Sequence, residues 1–379
     1  MKKKIAILGS TGSIGRQTLA VVDHLQEDVE VVALAAHSNI ERLETQAVKY
    51  RPQLVAVYDK EQALELKKRL PQLNVVAGAE GLIAAATTRE VNFVVSALVG
   101  AAGIVPTYRA IEAGKDIGLA NKEILIAAGE MMIRCAREKQ VALLPIDSEH
   151  SALFQCLQKE KIDQVRRMIL TASGGPFFRV PIKNLGQVTV SDALRHPNWS
   201  MGKKITIDSS TLMNKGFEVI EAYYLFGLPV DQIEVVMHPQ SLVHGFIECV
   251  DGSLLAQLAE PDMKLPIQYA LTYPKRKQGI LPRFDFQKHP KLEFFPPDLE
   301  KFPCLQLAYH AIKEGGTLPC FMNGANEVLV SRFLASEIAW LDIGKKLERL
   351  MSAHQTAKVA DLETLFAVDA EARLQAQHI

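Results

Sequence analysis

Short runs of apolar residues alternate with amphipathic stretches through the first third of the chain. The runs are Ile5–Leu8, Val29–Ala35, Leu54–Tyr58, Phe93–Ala97, Asp116–Ala120 and Val141–Pro145. Strands that are apolar on both faces and separated by helices are typical of a parallel sheet covered on both sides. We therefore predict a doubly wound α/β domain over residues 1–145.

The pattern changes beyond this domain. Strand-like runs at Arg167–Ala172, Ile233–Met237 and Leu254–Leu258 stand among helical stretches and polar motifs. This mixture predicts a central α+β domain over residues 146–272. Residues 273–298 then carry five prolines and little periodicity, which is typical of an extended linker.

Helical spacing returns at the C-terminal end of the chain. It is found over Cys304–Lys313, Ala325–Ser336 and Ile343–His354, and the pair Gly315-Gly316 is a stop signal after the first stretch. We predict a small C-terminal helical domain over residues 299–379.

The composition argues against a nucleic-acid-binding, membrane-associated or secreted protein. Lys plus Arg equals Asp plus Glu at 43 each, so the net charge points to neither nucleic acid nor an anionic membrane as a partner. The first apolar run stops at Gly9, too early for a signal peptide, and no stretch has the apolar length of a membrane span. We expect a cytoplasmic protein. The five cysteines have no paired spacing and are expected to be buried thiols.

The sequence GSTGSIG follows the first apolar run, with glycines at positions 9, 12 and 15. A strand that leads into a glycine-rich turn and a helix is typical of a dinucleotide-phosphate site. Gly9 would allow the tight turn, Gly12 the close approach of a pyrophosphate, and Gly15 the packing of helix on strand. A purely structural turn is the alternative for this motif taken alone.

The end of the second predicted strand bears on the choice of dinucleotide. NAD-binding domains usually place an acid there to bind the ribose 2′-hydroxyl. Here the strand runs into Ala36-His37-Ser38-Asn39, which contains no acid and no Lys or Arg. The missing acid favours NADPH.

Two acids, Asp147 and Glu149, directly follow the sixth apolar run. On an extended segment, residues two apart point to the same side, so both carboxylates would meet at one Mg²⁺ or Mn²⁺ site. The alternative, weighted equally, is a helix N-cap at Asp147 or Ser148, because an amphipathic stretch starts at Ser151.

Asn214, Lys215 and Glu218 share one face of a predicted helix. In the functional interpretation Asn214 and Lys215 bind a phosphate, and Glu218 is a third carboxylate ligand of the metal. The alternative is an ion pair on a solvated surface.

Two polar segments have the composition of a phosphate cradle. They are Thr171–Pro176, a second glycine turn after an apolar strand, and Asp208–Thr211, a hydroxyl cluster just before the Asn214 helix. Hydroxyls and exposed backbone N–H groups bind phosphate esters well. An ordinary turn or helix cap is the alternative for each segment.

Two more segments have a functional interpretation. His196–Gly202, which contains Trp199, is polar and bounded by Pro and Gly, as a lid over a ligand would be. A buried anchor Trp is the alternative. Asn121-Lys122-Glu123 follows the fifth apolar run, at a strand end where open α/β sheets bind ligands. There the alternative is a helix cap at Asn121.

Together these motifs resemble the 1-deoxy-D-xylulose 5-phosphate reductoisomerase family. GSTGSIG, LANKE, DSEHSA, TASGG, HPNWSMGKKITIDSS and MNKGFEVIEA occur in the family's order and spacing, and the match continues through HPQSLVH, PDMKLPIQYA and NGANE. The resemblance implies a Rossmann-like N-terminal domain and a homodimeric oxidoreductase. It also implies NADPH, a divalent metal (Mg²⁺, Mn²⁺ or Co²⁺) and conversion of that sugar phosphate to 2-C-methyl-D-erythritol 4-phosphate in the non-mevalonate isoprenoid pathway.

The resemblance implies a role for each matching residue. The implied cofactor contacts are Thr11, Gly12, Ser13, Ile14, His37, Ser38, Asn39, Asn121, Glu123 and Gly202. The implied metal ligands are Asp147, Glu149 and Glu218. The implied substrate contacts are Lys122, Ser148, Glu149, Ser173, His196, Trp199, Met201, Ser209, Asn214, Lys215 and Glu218. Lys122, His196 and the three carboxylates form the implied catalytic group.

One position departs from the family. Members often have Gly-Lys or Gly-Arg where this chain has His37-Ser38, which leaves the strength of NADPH preference open. Two other functions are less well supported. A semialdehyde-type NADP dehydrogenase shares the glycine spacing but relies on a catalytic Cys without a metal. A dinucleotide-binding regulator would need neither carboxylates nor a lid.

Overall fold

The computed structural model describes residues 2–199 and 201–379, and within them eleven strands and fifteen α-helices. The strands are β1 (Lys3–Leu8), β2 (Val29–Ala36), β3 (Leu54–Val57), β4 (Val75–Ala77), β5 (Phe93–Ser96), β6 (Asp116–Leu119), β7 (Leu143–Pro145), β8 (Val165–Ala172), β9 (Ile233–Met237), β10 (Val243–Cys249) and β11 (Leu254–Leu258). The helices are α1 (Ser13–His24), α2 (Ile40–Tyr50), α3 (Lys60–Arg69), α4 (Gly78–Thr87), α5 (Ile104–Glu112), α6 (Glu123–Lys139), α7 (Ser148–Cys156), α8 (Val190–Ala193), α9 (Lys203–Ser210), α10 (Met213–Phe226), α11 (Lys264–Thr272), α12 (Pro303–Glu314), α13 (Leu318–Leu334), α14 (Trp340–Ala353) and α15 (Leu362–His378).

These elements form two compact units, each built from segments that are not continuous in sequence. The first unit comprises Met1–Ile124, Glu130–Ser151 and Asp262–Pro282, and the second comprises Leu125–Gly129, Ala152–Pro261 and Arg283–Ile379. The chain thus passes between the units at points that the hydrophobic pattern does not indicate. The division into four consecutive segments stays a prediction.

The first unit contains a sheet of seven parallel strands in the order β4-β3-β2-β1-β5-β6-β7. The doubly wound prediction is therefore confirmed. The chain winds from β1 out to β4 and then returns beside β1 as β5. That reversal creates a switch point between β1 and β5, and ligands of such sheets bind beyond the carboxyl ends of the strands there.

The second unit contains a four-stranded mixed sheet in the order β11-β10-β8-β9. β8 runs parallel to β9 and antiparallel to β10. The three predicted C-terminal helices are present as α12, α13 and α14, and Gly315 ends the first of them with a positive φ of 71°. Trp340, only 4% exposed, packs edge-on against Phe177 with ring centroids 5.2 Å apart. One core therefore includes both the sheet and the C-terminal helices.

The hydrophobic pattern of the sequence does not predict three of the elements. β4 has only three residues, and it lies at the edge of its sheet. The apolar run of β10 is interrupted by Gly245 and Glu248. α15 buries few of its residues and has no continuous apolar stripe. No helix among the described residues has both the length and the apolar character needed to cross a membrane.

Glycine at position 9 is required both by backbone conformation and by space. Its φ is +91°, and a Cβ there would lie 2.4 Å from the carbonyl oxygen of Ala97. Gly114 in the same unit has a φ of +72° with nothing within 4 Å of an added Cβ. We expect Gly114→Ala to cost about 1–2 kcal/mol from the left-handed conformation alone, and Gly9→Ala to cost about 1–3 kcal/mol more from overlap.

Urea denaturation of the two variants and the parent protein measures both costs. Equal losses in the two variants would show that the turn accommodates the Cβ, which would contradict the steric requirement.

Candidate active site

The glycine turn after β1 forms as its spacing predicts. The Gly12 amide donates a hydrogen bond to the Gly9 carbonyl (3.1 Å), and α1 begins at the next residue, Ser13. A Cβ on Gly15 would lie 2.3 Å from the Gly9 carbonyl oxygen, so only glycine lets the helix start pack on the turn. Gly12 and Ser13 are exposed at the helix N-terminus. Their position suits the phosphates of a dinucleotide.

The turn after β2 contains the polar residues expected near an adenosine ribose. His37, Ser38 and Asn39 are all exposed. The Asn39 side chain accepts a hydrogen bond from the backbone N–H of Arg42 (3.1 Å) and thereby caps α2. The His37 ring stacks on Tyr58 with centroids 5.2 Å apart.

The neighbouring strands β6 and β7 bring a lysine and an aspartate together. Lys122 follows β6 and Asp147 follows β7, and their Nζ and Oδ2 atoms lie 2.5 Å apart with side chains 7% and 15% exposed. Asn121 donates from its side chain to the Gly100 carbonyl (2.9 Å). It is therefore not the cap of α6, whose N-cap position is Lys122.

The acidic segment after β7 is helical, so the extended geometry predicted for it is wrong. α7 begins at Ser148, which places Glu149 in its first turn. A carboxylate oxygen of Asp147 and one of Glu149 nevertheless lie within 4.8 Å of each other. Ser148 donates its N–H to Asp147 (3.0 Å) and its hydroxyl to Glu149 (2.6 Å). The helix start thus orients both carboxylates, and the metal site stays a prediction that is compatible with it.

The second unit contains a buried charge cluster on α10. Lys215 and Glu218 are 4% and 1% exposed, and their Nζ and Oε2 atoms lie 2.5 Å apart. Asn214 donates to the other carboxylate oxygen of Glu218 (2.6 Å). The solvated surface pair is therefore the wrong alternative. Burying opposite charges in contact is costly and gives little stability, which favours a role in binding.

The second glycine turn packs on the end of α9. Gly174 and Gly175 have φ angles of +85° and +62°, and a Cβ on Gly175 would lie 2.8 Å from the Ser209 carbonyl oxygen. The Ser173 hydroxyl oxygen accepts a hydrogen bond from the Gly175 amide (3.2 Å). The close approach that glycine permits therefore brings Ser173 and Ser209 into one region of this unit, as a phosphate cradle requires.

His196 is a neutral imidazole with a defined tautomer. Its Nδ1 accepts from the backbone N–H groups of Asn198 (3.2 Å) and Trp199 (3.0 Å). The ring proton therefore lies on Nε2, which donates to the Ser173 hydroxyl (2.9 Å). Burial lowers the pKa of His196 from 6.5 to about 4. The ring is thus a hydrogen-bond donor without a charge at neutral pH.

The predicted lid lies between α8 and α9, and its residue 200 is outside the described residues. Trp199 and Met201 are half-buried, so the fully buried anchor is the wrong alternative for Trp199. Asn198 donates from its side chain to the Pro239 carbonyl (2.5 Å) and to the Ser241 hydroxyl (2.8 Å). Gly202, at the N-cap of α9, is exposed.

The sequence placed Asn198, Asp208 and Ser210 in candidate segments but did not predict the contacts that support them. Asn198 holds the predicted lid to Pro239, and Asp208 accepts a hydrogen bond from Asn326 of α13 (2.8 Å) in the protein interior. Ser210 accepts one from the Trp340 ring N–H (2.8 Å). The motifs HPQSLVH and NGANE flagged two of these segments, but nothing in a single sequence pairs residues more than a hundred positions apart.

The cysteines are unsuited to nucleophilic catalysis. Cys135, Cys249, Cys304 and Cys320 are buried and Cys156 is partly buried. Burial raises the thiol pKa of both Cys304 and Cys320 to about 12. A buried thiol with a raised pKa carries little of the reactive thiolate. This disfavours the semialdehyde-type alternative, which relies on a cysteine.

The fold and the side chains define a class of protein. The first unit has the parallel sheet and glycine turn of a dinucleotide-dependent oxidoreductase, with two carboxylates beyond a strand end. The second has the hydroxyls, amide and lysine that suit a phosphorylated substrate.

Comparison with known protein families identifies the family of this chain. Three family models match, described as 1-deoxy-D-xylulose 5-phosphate reductoisomerase (residues 5–129), its C-terminal domain (143–226) and the DXP reductoisomerase C-terminal domain (258–375). The chain belongs to this family, as the motifs predict. A 1-deoxy-D-xylulose 5-phosphate reductoisomerase of Protochlamydia amoebophila (strain UWE25) is 56% identical over 374 residues, which cover 99% of this chain and 97% of the relative.

Solved structures agree with this assignment. A reductoisomerase from Zymomonas mobilis in complex with NADPH is 41% identical and superimposes with a TM-score of 0.94, covering 99% of this chain and 98% of that one. A DOX-P reductoisomerase in complex with NADPH, fosmidomycin and magnesium is 39% identical, also with a TM-score of 0.94, covering 99% of this chain and 97% of that one.

The environment of His196 predicts how it titrates. Because its folded pKa of about 4 lies below the ordinary 6.5, the unfolded chain takes up the proton first as pH falls. Its contribution to stability is therefore complete above pH 6.5 and is lost as pH falls to about 4. ¹H–¹⁵N NMR of the imidazole should show a neutral ring with the proton on Nε2 down to about pH 5.

His196→Gln identifies the resonance by its disappearance and is the control. A titration midpoint near 6.5 for His196 would contradict its neutral state at lower pH.

Proposed function

We propose that the protein rearranges and reduces 1-deoxy-D-xylulose 5-phosphate to 2-C-methyl-D-erythritol 4-phosphate, with NADPH as hydride donor and a divalent metal. The observation that carries the proposal is the convergence of the Asp147 and Glu149 carboxylates beyond a dinucleotide-binding sheet. A dehydrogenase that only transfers hydride has no need of such a pair. The identity of the substrate is inferred from membership of the reductoisomerase family.

The cofactor is proposed to bind along the carboxyl edge of the first unit's sheet. Thr11, Gly12, Ser13 and Ile14 would hold its phosphates, because they form the turn and first residues of α1. The side-chain carbonyl of Asn121 is buried with no hydrogen-bond partner among the described residues. A buried acceptor of this kind fits a donor group on a ligand, which supports the proposed cofactor contact. Glu123 and Gly202 are proposed as further cofactor contacts.

The metal is proposed to bind Asp147, Glu149 and Glu218. Carboxylate oxygens are the ligands that Mg²⁺ and Mn²⁺ prefer, and Co²⁺ is also compatible with them. The first two residues fit the metal because their oxygens already converge and are oriented by the helix start of α7. When bound, such an ion polarises a carbonyl and stabilises negative charge on oxygen. The solved relatives that hold magnesium support this choice of ion.

The remaining polar residues are proposed to bind and orient the substrate. Ser173, Ser209, Asn214 and Lys215 would bind the phosphate, which contacts no reacting atom but whose binding energy favours closure and orientation. Trp199 and Met201 would close over the substrate from the lid.

Three residues, Lys122, Ser148 and His196, are proposed to face the hydroxyl and carbonyl oxygens of the substrate. Lys122 would provide an ammonium donor and Ser148 a hydroxyl. His196 would provide its Nε2–H, which carries the ring proton because Nδ1 accepts two backbone N–H groups. A neutral imidazole stabilises negative charge on a substrate oxygen by donating a hydrogen bond. Because it carries no positive charge, it does not pair with the carboxylates that are proposed to bind the metal.

The proposal includes a homodimer in the cytoplasm, with no nucleic-acid or membrane partner. The homodimer rests on resemblance to the family, and the location rests on a first apolar run that is too short for a signal peptide. The neutral net charge disfavours nucleic-acid and membrane partners. Sedimentation velocity tests the oligomeric state, and a single species at the mass of one chain would contradict it.

The experiment that tests the function follows NADPH absorbance. With purified protein, the sugar phosphate and Mg²⁺ or Mn²⁺, we expect oxidation of NADPH that a chelator abolishes. Product identity is checked by mass spectrometry and NMR. If neither NADPH nor NADH is consumed by folded protein with either metal, the proposed function is wrong.

The two proposed roles on α10 predict different kinetic effects. Lys215→Ala should chiefly raise KM, because it removes a phosphate contact, whereas Glu218→Gln should chiefly lower kcat, by about 10²-fold or more, because it removes a metal ligand. Steady-state kinetics at several metal concentrations separates the two effects. Circular dichroism and thermal unfolding control for folding, since both side chains are buried. Unchanged turnover in folded Glu218→Gln would rule out Glu218 as a ligand.

A further inference from the structure

The turn after β2 lacks the groups that usually select between NAD and NADP. Its residues 37–39 include no acid for a ribose 2′-hydroxyl and no Lys or Arg for a 2′-phosphate. The Asn39 side chain already accepts the Arg42 amide as the cap of α2. Asp59 donates its backbone N–H to the His37 carbonyl (2.9 Å), but one oxygen of its carboxylate caps α3. The selecting group must therefore come from elsewhere in the fold.

Arg42 occupies the position from which a side chain reaches this turn. It is the third residue of α2 and is exposed. Its guanidinium Nη1 donates to the carbonyl of Thr11 in the glycine turn (3.1 Å). This bond holds the guanidinium between the ends of β1 and β2, where the adenosine ribose lies in dinucleotide-binding sheets.

The charge of Arg42 is available for a ligand. In the described part of the chain no carboxylate forms an ion pair with Arg42, whereas its neighbour Glu41 lies 3.9 Å from Arg69. One of five guanidinium N–H groups is used on Thr11, and the planar fork of the others matches a phosphate.

We propose that Arg42 binds the 2′-phosphate of NADPH and determines the preference of this protein for NADPH over NADH. The inference rests on the proposed function, since it assumes that the nicotinamide cofactor binds at the glycine turn. With Arg42 in this role, no Lys or Arg is needed at positions 37–38. The positive charge comes instead from the first turn of α2.

Direct binding of the reduced cofactors tests the proposal without turnover. The Kd values of NADPH and NADH are measured from nicotinamide fluorescence with no substrate or metal present, and 2′-AMP and 5′-AMP are used as competitors. We expect Arg42→Gln to raise the Kd of NADPH and of 2′-AMP by about 10- to 100-fold, because the variant loses a charge-assisted contact with the 2′-phosphate. NADH and 5′-AMP should bind within about twofold of the parent protein, because they carry no 2′-phosphate.

Arg16 provides a matched control on the same turn. It is also an exposed arginine, and its Nε donates to the Gly12 carbonyl (3.3 Å), but it lies on α1 rather than beside the end of β2. Arg16→Gln removes the same charge and should leave the ratio of NADPH to NADH affinity unchanged. Arg42→Lys should restore part of the preference, since charge is kept and the planar fork is lost.

Three outcomes would overturn the inference. The first is equal weakening of both cofactors in Arg42→Gln. The second is an unchanged NADPH affinity in that variant. The third is loss of preference in His37→Gln but not in Arg42→Gln, which would assign the phosphate to the imidazole. A parent protein that binds neither reduced cofactor would instead contradict the proposed function itself, so the two failures are distinguishable.

Discussion

The parallel direction of the seven strands in the first unit is the constraint on which its chemistry depends. Because every strand ends at the same edge, loops that are far apart in sequence deliver their side chains to one place. The 2.5 Å contact between Lys122 and Asp147 exists because β6 and β7 are neighbours that end together. The same geometry sets the Gly9 turn against Ala97, since β1 and β5 are neighbours. Topology therefore assembles this part of the site before any ligand binds.

In the second unit, buried polar groups are held in place by hydrogen bonds. Ser210 and Asp208 of α9 are both at most 1% exposed, and each hydrogen-bonds to a helix near the C-terminus, through Trp340 and Asn326 respectively. A buried polar group without a partner costs about 1–3 kcal/mol, so these bonds define one position for α9. The C-terminal helices thus support the helix that carries Ser209. This gives them a structural part in the proposed phosphate cradle, although none of their residues belongs to the motifs assigned to chemistry.

Local patterns in the sequence predicted the local features of this molecule. The glycine spacing specified a turn that only glycine can adopt at Gly9, and the apolar runs located six of the seven strands in the first sheet. Failures occurred where structure depends on distant contacts. The bond from Asn198 to Pro239 has no local signature. The extended pair expected at Asp147 and Glu149 was wrong for a local reason, because α7 begins at Ser148, as the N-cap alternative allowed. Periodicity reports which face of an element is buried, but it does not report which partner buries it.

Each unit contains a lysine in contact with a carboxylate that is proposed to bind metal. The pairs are Lys122 with Asp147 and Lys215 with Glu218, and all four side chains are at most 15% exposed. Buried ion pairs rarely add stability, whereas removal of one partner leaves a costly unpaired charge. On the proposed function, Asp147 and Glu218 would hold the metal, and Lys122 and Lys215 would face the oxygens and the phosphate of the substrate. Each lysine neutralises a largely buried carboxylate of its own unit. The two ion pairs are therefore better explained by binding than by stability.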